Sequence, residues 1–140
     1  MKKYSLNSTE RIKHRKLIED IFSKGSTVYK DFIRINYIKT DFEDNKIAKV
    51  AFSVPKKKFK RAYKRNRLKR IMREVYRKNK PEFYDILSNK NIKIALLFVY
   101  LDDEIKNYDI IEKTMKLALD KLVKKLEKEW NLPILKNDTK

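Results

Sequence analysis

The dense chemistry in this sequence is cationic. Between Lys56 and Lys80, fourteen lysines and arginines stand against one acid, Glu74, for a net charge of +13. The whole chain of 140 residues carries +18, so the other 115 share only +5. Charge gathered this tightly repels itself unless a polyanion offsets it, and this is the footprint of a phosphate-binding surface. Other chemistries lack their residues. Cysteine is absent, which removes disulfides, thiolate zinc sites and cysteine nucleophiles. The one histidine, His14, lies among Arg and Lys with no spaced partner for a metal site or a triad. The one glycine, Gly25, cannot build a glycine-rich phosphate loop. Asp41, Glu43 and Asp44 read as a solvated turn. The contiguous Asp102, Asp103 and Glu104 read as a loop ahead of a helix rather than a pair of metal sites. No cofactor or metal is therefore expected on the chain itself. The longest apolar run, Ile94–Leu101, is too short to span a bilayer, and Met1–Tyr4 opens into polar sequence rather than a secretory signal. A soluble, cytoplasmic protein with no membrane partner is the expectation.

The basic run coincides with a helical period. Leu68, Ile71, Met72, Val75 and Tyr76 are spaced 0, 3, 4, 7 and 8, an apolar stripe for a helix over Ala62–Lys80 that Pro81 should end. Asn66, Arg70, Arg73 and Arg77 then line up nearly opposite that stripe. Arg65 and Lys69 flank it on one side, Arg67 and Lys78 on the other, and Lys56, Lys57 and Arg61 lead into it. A solvated helix face ordinarily mixes signs to gain i,i+4 pairs, whereas a like-charge row loses stability unless an anion offsets it. Guanidinium forks bind phosphate oxygens bidentately and stack on bases, and the Asn66 amide suits a 2′-hydroxyl or a base edge. Binding to an anionic membrane is the competing reading, but the apolar stripe is only as wide as a core-facing one.

Other elements must hold that helix in place. Ser8 or Thr9 can cap a first helix with Ile12, Leu17, Ile18, Ile21 and Phe22 as its apolar positions. Gly25 would end it in the left-handed conformation. Phe32–Lys39 alternates, with Ile33, Ile35 and Tyr37 on one face and Phe32, Arg34 and Asn36 on the other. Ile47–Val54 alternates again, so the two strands read as an antiparallel hairpin across the polar stretch from Asp41 to Lys46. Ile92–Leu101 reads as a central strand covered on both faces. Asp109 with Glu112 resembles a capping box opening a last helix along Ile111, Met115, Ala118, Leu122 and Leu126. The order α-β-β-α-β-α predicts a single-domain α+β sandwich over residues 1–129, with helices on a mainly antiparallel sheet and a flexible tail at 130–140.

The segment from Ser53 to Arg70, continuing into Arg73-Glu74, resembles the signature of the bacterial ribonuclease P protein subunit. There a strand ends in a Lys-Lys pair, here Lys56-Lys57, before a helix carrying Arg-Asn-Arg and then Lys-Arg, here Arg65-Asn66-Arg67 and Lys69-Arg70. The likeness runs from the first helix to the last and departs at the exit of the last strand, where Asp102-Asp103-Glu104 replaces basic or small residues. The resemblance implies a left-handed crossover around the basic helix. It also implies a partnership with a large catalytic RNA to remove the 5′ leader of precursor tRNA, the RNA and its divalent metal, magnesium, carrying the chemistry. No residue of the protein would then be catalytic. Catalytic-RNA contacts would come from Lys56, Lys57, Arg61, Arg65, Asn66, Arg67, Lys69, Arg70, Arg73 and Arg77. A cleft between the first helix and the open sheet face would hold the leader, using Ile18, Phe22, Phe32, Arg34, Asn36, Ala51 and Ser53. The alternative, from another class, is a pure RNA-binding module such as a ribosomal or RNA-chaperone protein. A protein-only nuclease is a third and weaker option.

Overall fold

The continuous apolar run near residue 94 becomes the middle of the sheet. A computed structural model describes residues 10–44 and 46–130, with Trp130 described by its backbone alone. Its elements are α1 (Arg15–Lys24), β1 (Ser26–Lys30), β2 (Ile33–Lys39), β3 (Ala48–Ser53), α2 (Ala62–Asn89), β4 (Ile94–Tyr100) and α3 (Tyr108–Trp130). The expected α-β-β-α-β-α order is present, with the short strand β1 added at an edge. The strands lie in the order β1-β2-β4-β3. All seven residues of β4 are buried, so both of its sides need a strand. β2 runs antiparallel to it, with Ile35 opposite Phe98. β3 runs parallel to it, with Phe52 opposite Phe98. The expected hairpin between β2 and β3 is therefore wrong, because β4 lies between them. The local hairpin is β1–β2, pairing Thr27 with Asn36 and Tyr29 with Arg34.

The two faces of the sheet carry separate cores. α2 and α3 cover one face, where Leu68, Met72, Val75 and Tyr76 meet Ile35, Val50 and Phe98. On the other face α1 seats Ile21 against Ala95, Leu97 and Val99, with Leu17 and Ile18 beside them. Burying an aliphatic or aromatic side chain of this size is worth about 1.5–3 kcal/mol. That drives the alternation seen along β2 and β4.

Several local expectations change. α1 begins at Arg15 after His14, which makes no side-chain cap. Ile12 instead hydrogen-bonds its N–H to the Val50 carbonyl at 3.0 Å, extending the sheet beyond the β3 edge. Ser8 and Thr9 lie outside the described residues, as do residues 131–140 of the expected tail, while Trp130 is the last residue of α3. Gly25 ends α1 in an extended conformation, φ −82° and ψ 176°, not a left-handed one. Glycine is needed there for space, since a Cβ would press on the carbonyl oxygens of Ile21 and Tyr37. Pro81 lies inside α2 rather than at its end. A proline in a helix interior costs about 3 kcal/mol. The turns beyond it bury Phe83 and Leu87, which offsets that cost. α3 is capped by Asn107, whose side-chain oxygen accepts the Ile110 N–H at 3.0 Å. Asp109 is not the cap; it sits in the first turn, where the helix dipole favours an acid.

Candidate nucleic-acid interface

The core pins α2 by one stripe, and the opposite side is left to solvent. Leu68, Met72, Val75 and Tyr76 are fully buried. Asn66, Arg67 and Arg70 are exposed, as are Lys56, Lys57 and Arg61 in the loop that enters the helix. That loop is anchored by burial of Val54 and Phe59 at its two ends. Arg65 completes the anchoring. Its guanidinium donates to the Phe59 carbonyl at 2.7 Å and to the Lys60 carbonyl at 2.9 Å. Arg65 is thus half-buried and holds the basic loop, a role its place in the cationic run did not disclose.

The remaining cations differ from one another. Lys69 and Arg73 are half-buried at the edge of the packed stripe. Arg73 Nε is buried with no hydrogen-bond partner among the described residues. Arg77 is engaged by Glu74, with Nε 3.1 Å from Oε1 and a second guanidinium nitrogen on the other carboxylate oxygen. This pairing raises the Arg77 pKa and lowers that of Glu74, so Arg77 presents a partly neutralised charge. Lys78 lies 5.2 Å over the Tyr108 ring. The open part of the surface is Lys56, Lys57, Arg61, Asn66, Arg67 and Arg70.

On the far side of the sheet α1 leaves part of its face uncovered. Ile18 packs into the α1 core, whereas Phe22 is 54% exposed. Arg34 Nε donates to Asn36 Oδ1 at 2.8 Å, and Asn36 Nδ2 donates to Thr27 Oγ1 at 3.4 Å. These bonds fix both side chains in a row across β1 and β2. Ala51 and Ser53 are half-buried and stand beside Leu97 and Val99 on the same face. Phe32 does not join them. Asp31 turns the chain with φ 51°, so the strand alternation begins only at Ile33. Phe32 packs on the opposite layer, its ring 5.2 Å from that of Tyr100. The aromatic that does occupy this face is Tyr29, which is 52% exposed and directly opposite Arg34. It escapes a reading of the sequence because β1 is five residues long and buries only Val28.

Acidic groups are used locally. Asp102 pairs with Lys106 at 3.2 Å and accepts the Glu104 N–H at 3.1 Å. Among the described residues, no group of three or more His, Cys, Asp or Glu is placed to hold a metal ion. No described helix is long and apolar enough to cross a membrane.

Fold and surface together define a class: an α+β sandwich with a four-stranded mixed sheet, a long cationic helix on one side and a partly open sheet face on the other. The family model for Ribonuclease P matches residues 6–127, and the chain belongs to that family. The ribonuclease P protein component of Porphyromonas gingivalis is 32% identical over 116 residues, covering 83% of this chain and 85% of the relative. That of Chlorobium phaeobacteroides is 32% identical over 105 residues, covering 68% and 72%. Among solved structures, the RNase P protein from Thermotoga maritima superposes with a TM-score of 0.63 at 19% identity, covering 80% of this chain and 96% of that one. The Staphylococcus aureus RNase P protein gives 0.61 at 18% identity, covering 81% and 94%. At such identities the structures establish the shared fold.

Proposed function

We propose that this chain is the protein subunit of a ribonuclease P holoenzyme. It binds the catalytic RNA through the basic loop and α2, and it holds the 5′ leader of precursor tRNA against the open face of the sheet. Magnesium bound by the RNA supplies the hydrolytic chemistry. The observation that carries the reading is the like-charged, carboxylate-poor surface of Lys56, Lys57, Arg61, Asn66, Arg67 and Arg70 on a helix whose other side is locked in the core. Such a surface neutralises phosphates without placing a reactive group near them. On the sheet face, Tyr29 offers a ring for an unpaired base and Arg34 a cation beside it, a sequence-tolerant way to bind a single strand. Ile18, Phe22, Asn36, Ala51 and Ser53 line the approach. Ribonuclease P family membership favours the holoenzyme role over a generic RNA-binding module.

The test mixes the purified protein with its cognate catalytic RNA and measures precursor cleavage at low magnesium, where phosphate repulsion is least screened. Stimulation of cleavage is expected. RNA binding without stimulation would leave the chain an RNA-binding module.

A further inference from the structure

β1 is an outer strand of the sheet, and two lysines from another element close its free side. Among the described residues no strand pairs beyond β1, whereas the β3 edge is taken by Ile12, whose N–H bonds the Val50 carbonyl. Lys121 Nζ donates to the Tyr29 carbonyl at 2.7 Å, and Lys125 Nζ donates to the Thr27 carbonyl at 3.1 Å. Bonds along an antiparallel ladder alternate. Ser26, Val28 and Lys30 therefore bond to β2, while Thr27 and Tyr29 turn their N–H and C=O groups outward. The spacing of the lysines suits those carbonyls. From Lys121 to Lys125 α3 rises about 6 Å, and from Thr27 to Tyr29 the strand advances about 6.7 Å. Lys125 also lies over the Tyr37 ring, 5.6 Å from its centre. An unpaired strand edge is a template for another strand, and a second β1 fits this one. About a two-fold axis at Val28, Thr27 of one copy faces Tyr29 of the other, and each such pair exchanges both backbone bonds. The carbonyls that this pairing needs are those the lysines occupy. It would also gather four ammonium groups along one seam.

We propose that Lys121 and Lys125 keep this chain monomeric by closing the β1 edge against antiparallel pairing with a second copy. The latent surface is Ser26–Lys30, and its partner is the same segment of another chain. Both guards stand on α3, which packs against β1, so the edge is closed without a further strand.

The test is sedimentation of the full chain, free of RNA, from about 10 µM to about 1 mM, the range in which weak pairing shows. The wild type should remain monomeric throughout. Lys121→Met with Lys125→Met keeps the apolar stems and removes the ammonium groups, and its apparent mass should rise with concentration toward that of two chains. Lys124→Met with Lys128→Met removes the same charge from exposed positions of the same helix and should stay monomeric. Adding Thr27→Pro to the Lys121 and Lys125 variant deletes an outward N–H without touching the bonds to β2, and should return it to a monomer. Thermal melts accompany each variant. If the double variant does not fold, Lys121→Met alone frees the Tyr29 carbonyl and should show the same rise, displaced to higher concentration. A wild type that dimerises, or a folded lysine variant that stays monomeric at every concentration, overturns the proposal. Equal association in the charge-matched control, or association that survives Thr27→Pro, also overturns it, because the contact then lies away from the β1 edge.

Discussion

Lys80 places its ammonium 2.8 and 2.9 Å from the two carboxylate oxygens of Glu10, seventy residues away in sequence. Both residues are buried, and the Tyr84 hydroxyl donates to the same carboxylate at 2.7 Å. In a chain of net charge +18, this is a lysine used for architecture. Lys80→Met leaves the buried Glu10 carboxylate without its counter-charge and should destabilise the fold by about 3–5 kcal/mol in urea denaturation. Adding Glu10→Leu should restore much of that loss, since a packed apolar pair can replace a buried ion pair. A double variant no more stable than the single one would show that the pair contributes net stability.

Alkaline pH should unfold the protein through its tyrosines. Burial, first of all, pushes the Tyr76, Tyr84 and Tyr37 hydroxyls above their ordinary range; Glu10 adds to it at Tyr76 and Tyr84, and Glu129 at Tyr37. The unfolded chain releases these protons near pH 10, while the folded chain keeps them. Stability is therefore complete below pH 10 and falls above it, by about 1.4 kcal/mol per pH unit for each such group. Tyrosinate absorbance should show at least three of the eight tyrosines ionising together with loss of the helical signal. Gradual, independent titration would contradict this.

Arg65 and Arg67, two residues apart in the same tripeptide, should fail differently. Arg65→Ala loses both carbonyl contacts that hold the basic loop. It should cost roughly 1–3 kcal/mol of stability along with RNA affinity. Arg67→Ala is an exposed change, expected within about 0.5 kcal/mol of wild type, and it should reduce the salt slope of RNA binding by about one. Paired melting and salt-titration experiments separate the two, and matching melting curves would count against the anchoring role.

The sheet face and α2 should divide their labour. Tyr29→Ala with Arg34→Ala should spare assembly with the catalytic RNA but weaken holoenzyme binding to precursor relative to mature tRNA. One stacking aromatic is worth about 1–3 kcal/mol, or roughly five- to hundredfold in that ratio. Arg67→Ala with Arg70→Ala should instead weaken assembly and leave the ratio unchanged. Phe32→Ala should lower stability and leave the ratio alone, because Phe32 packs on Tyr100. The same loss of discrimination from Phe32→Ala as from the Tyr29 variant would reject this assignment.

Gly25→Ala should destabilise by roughly 1–3 kcal/mol through overpacking against the Ile21 and Tyr37 carbonyls. A thermal melt checks it, and an unchanged midpoint would mean that α1 can shift without loss.

What the sequence made legible was whatever depended on period. The α2 stripe, the alternation of β2 and the two-sided burial of β4 all follow from where apolar residues recur. Neighbour relations were less legible, since β2 and β3 look like a hairpin until a strand forty residues later takes the place between them. Pro81 misleads for a similar reason: its local penalty is visible, while the tertiary burial of Phe83 and Leu87 that overrides it is not. At the candidate site, charge and spacing marked Asn66, Arg67 and Arg70 correctly as outward. They could not distinguish Arg65, whose partners are backbone carbonyls, or Arg77, whose charge is spent on Glu74. A period-two reading puts Phe32 on the wrong face because the positive φ at Asp31 resets the alternation.

The central place of β4 also governs the order in which the molecule can be completed during synthesis. When residue 93 leaves the ribosome, the β1–β2 hairpin and the whole of α2 already exist as chain, yet β3 has no strand to pair with and β2 lacks its second neighbour. Closing the parallel β3–β4 pair means joining segments separated by the whole of α2, a contact with a high loop-closure cost. The fourteen cations from Lys56 to Lys80 are therefore translated before the core that will display them can form. The nascent chain passes through an interval in which its clustered cations are all present and none is yet displayed on a folded surface.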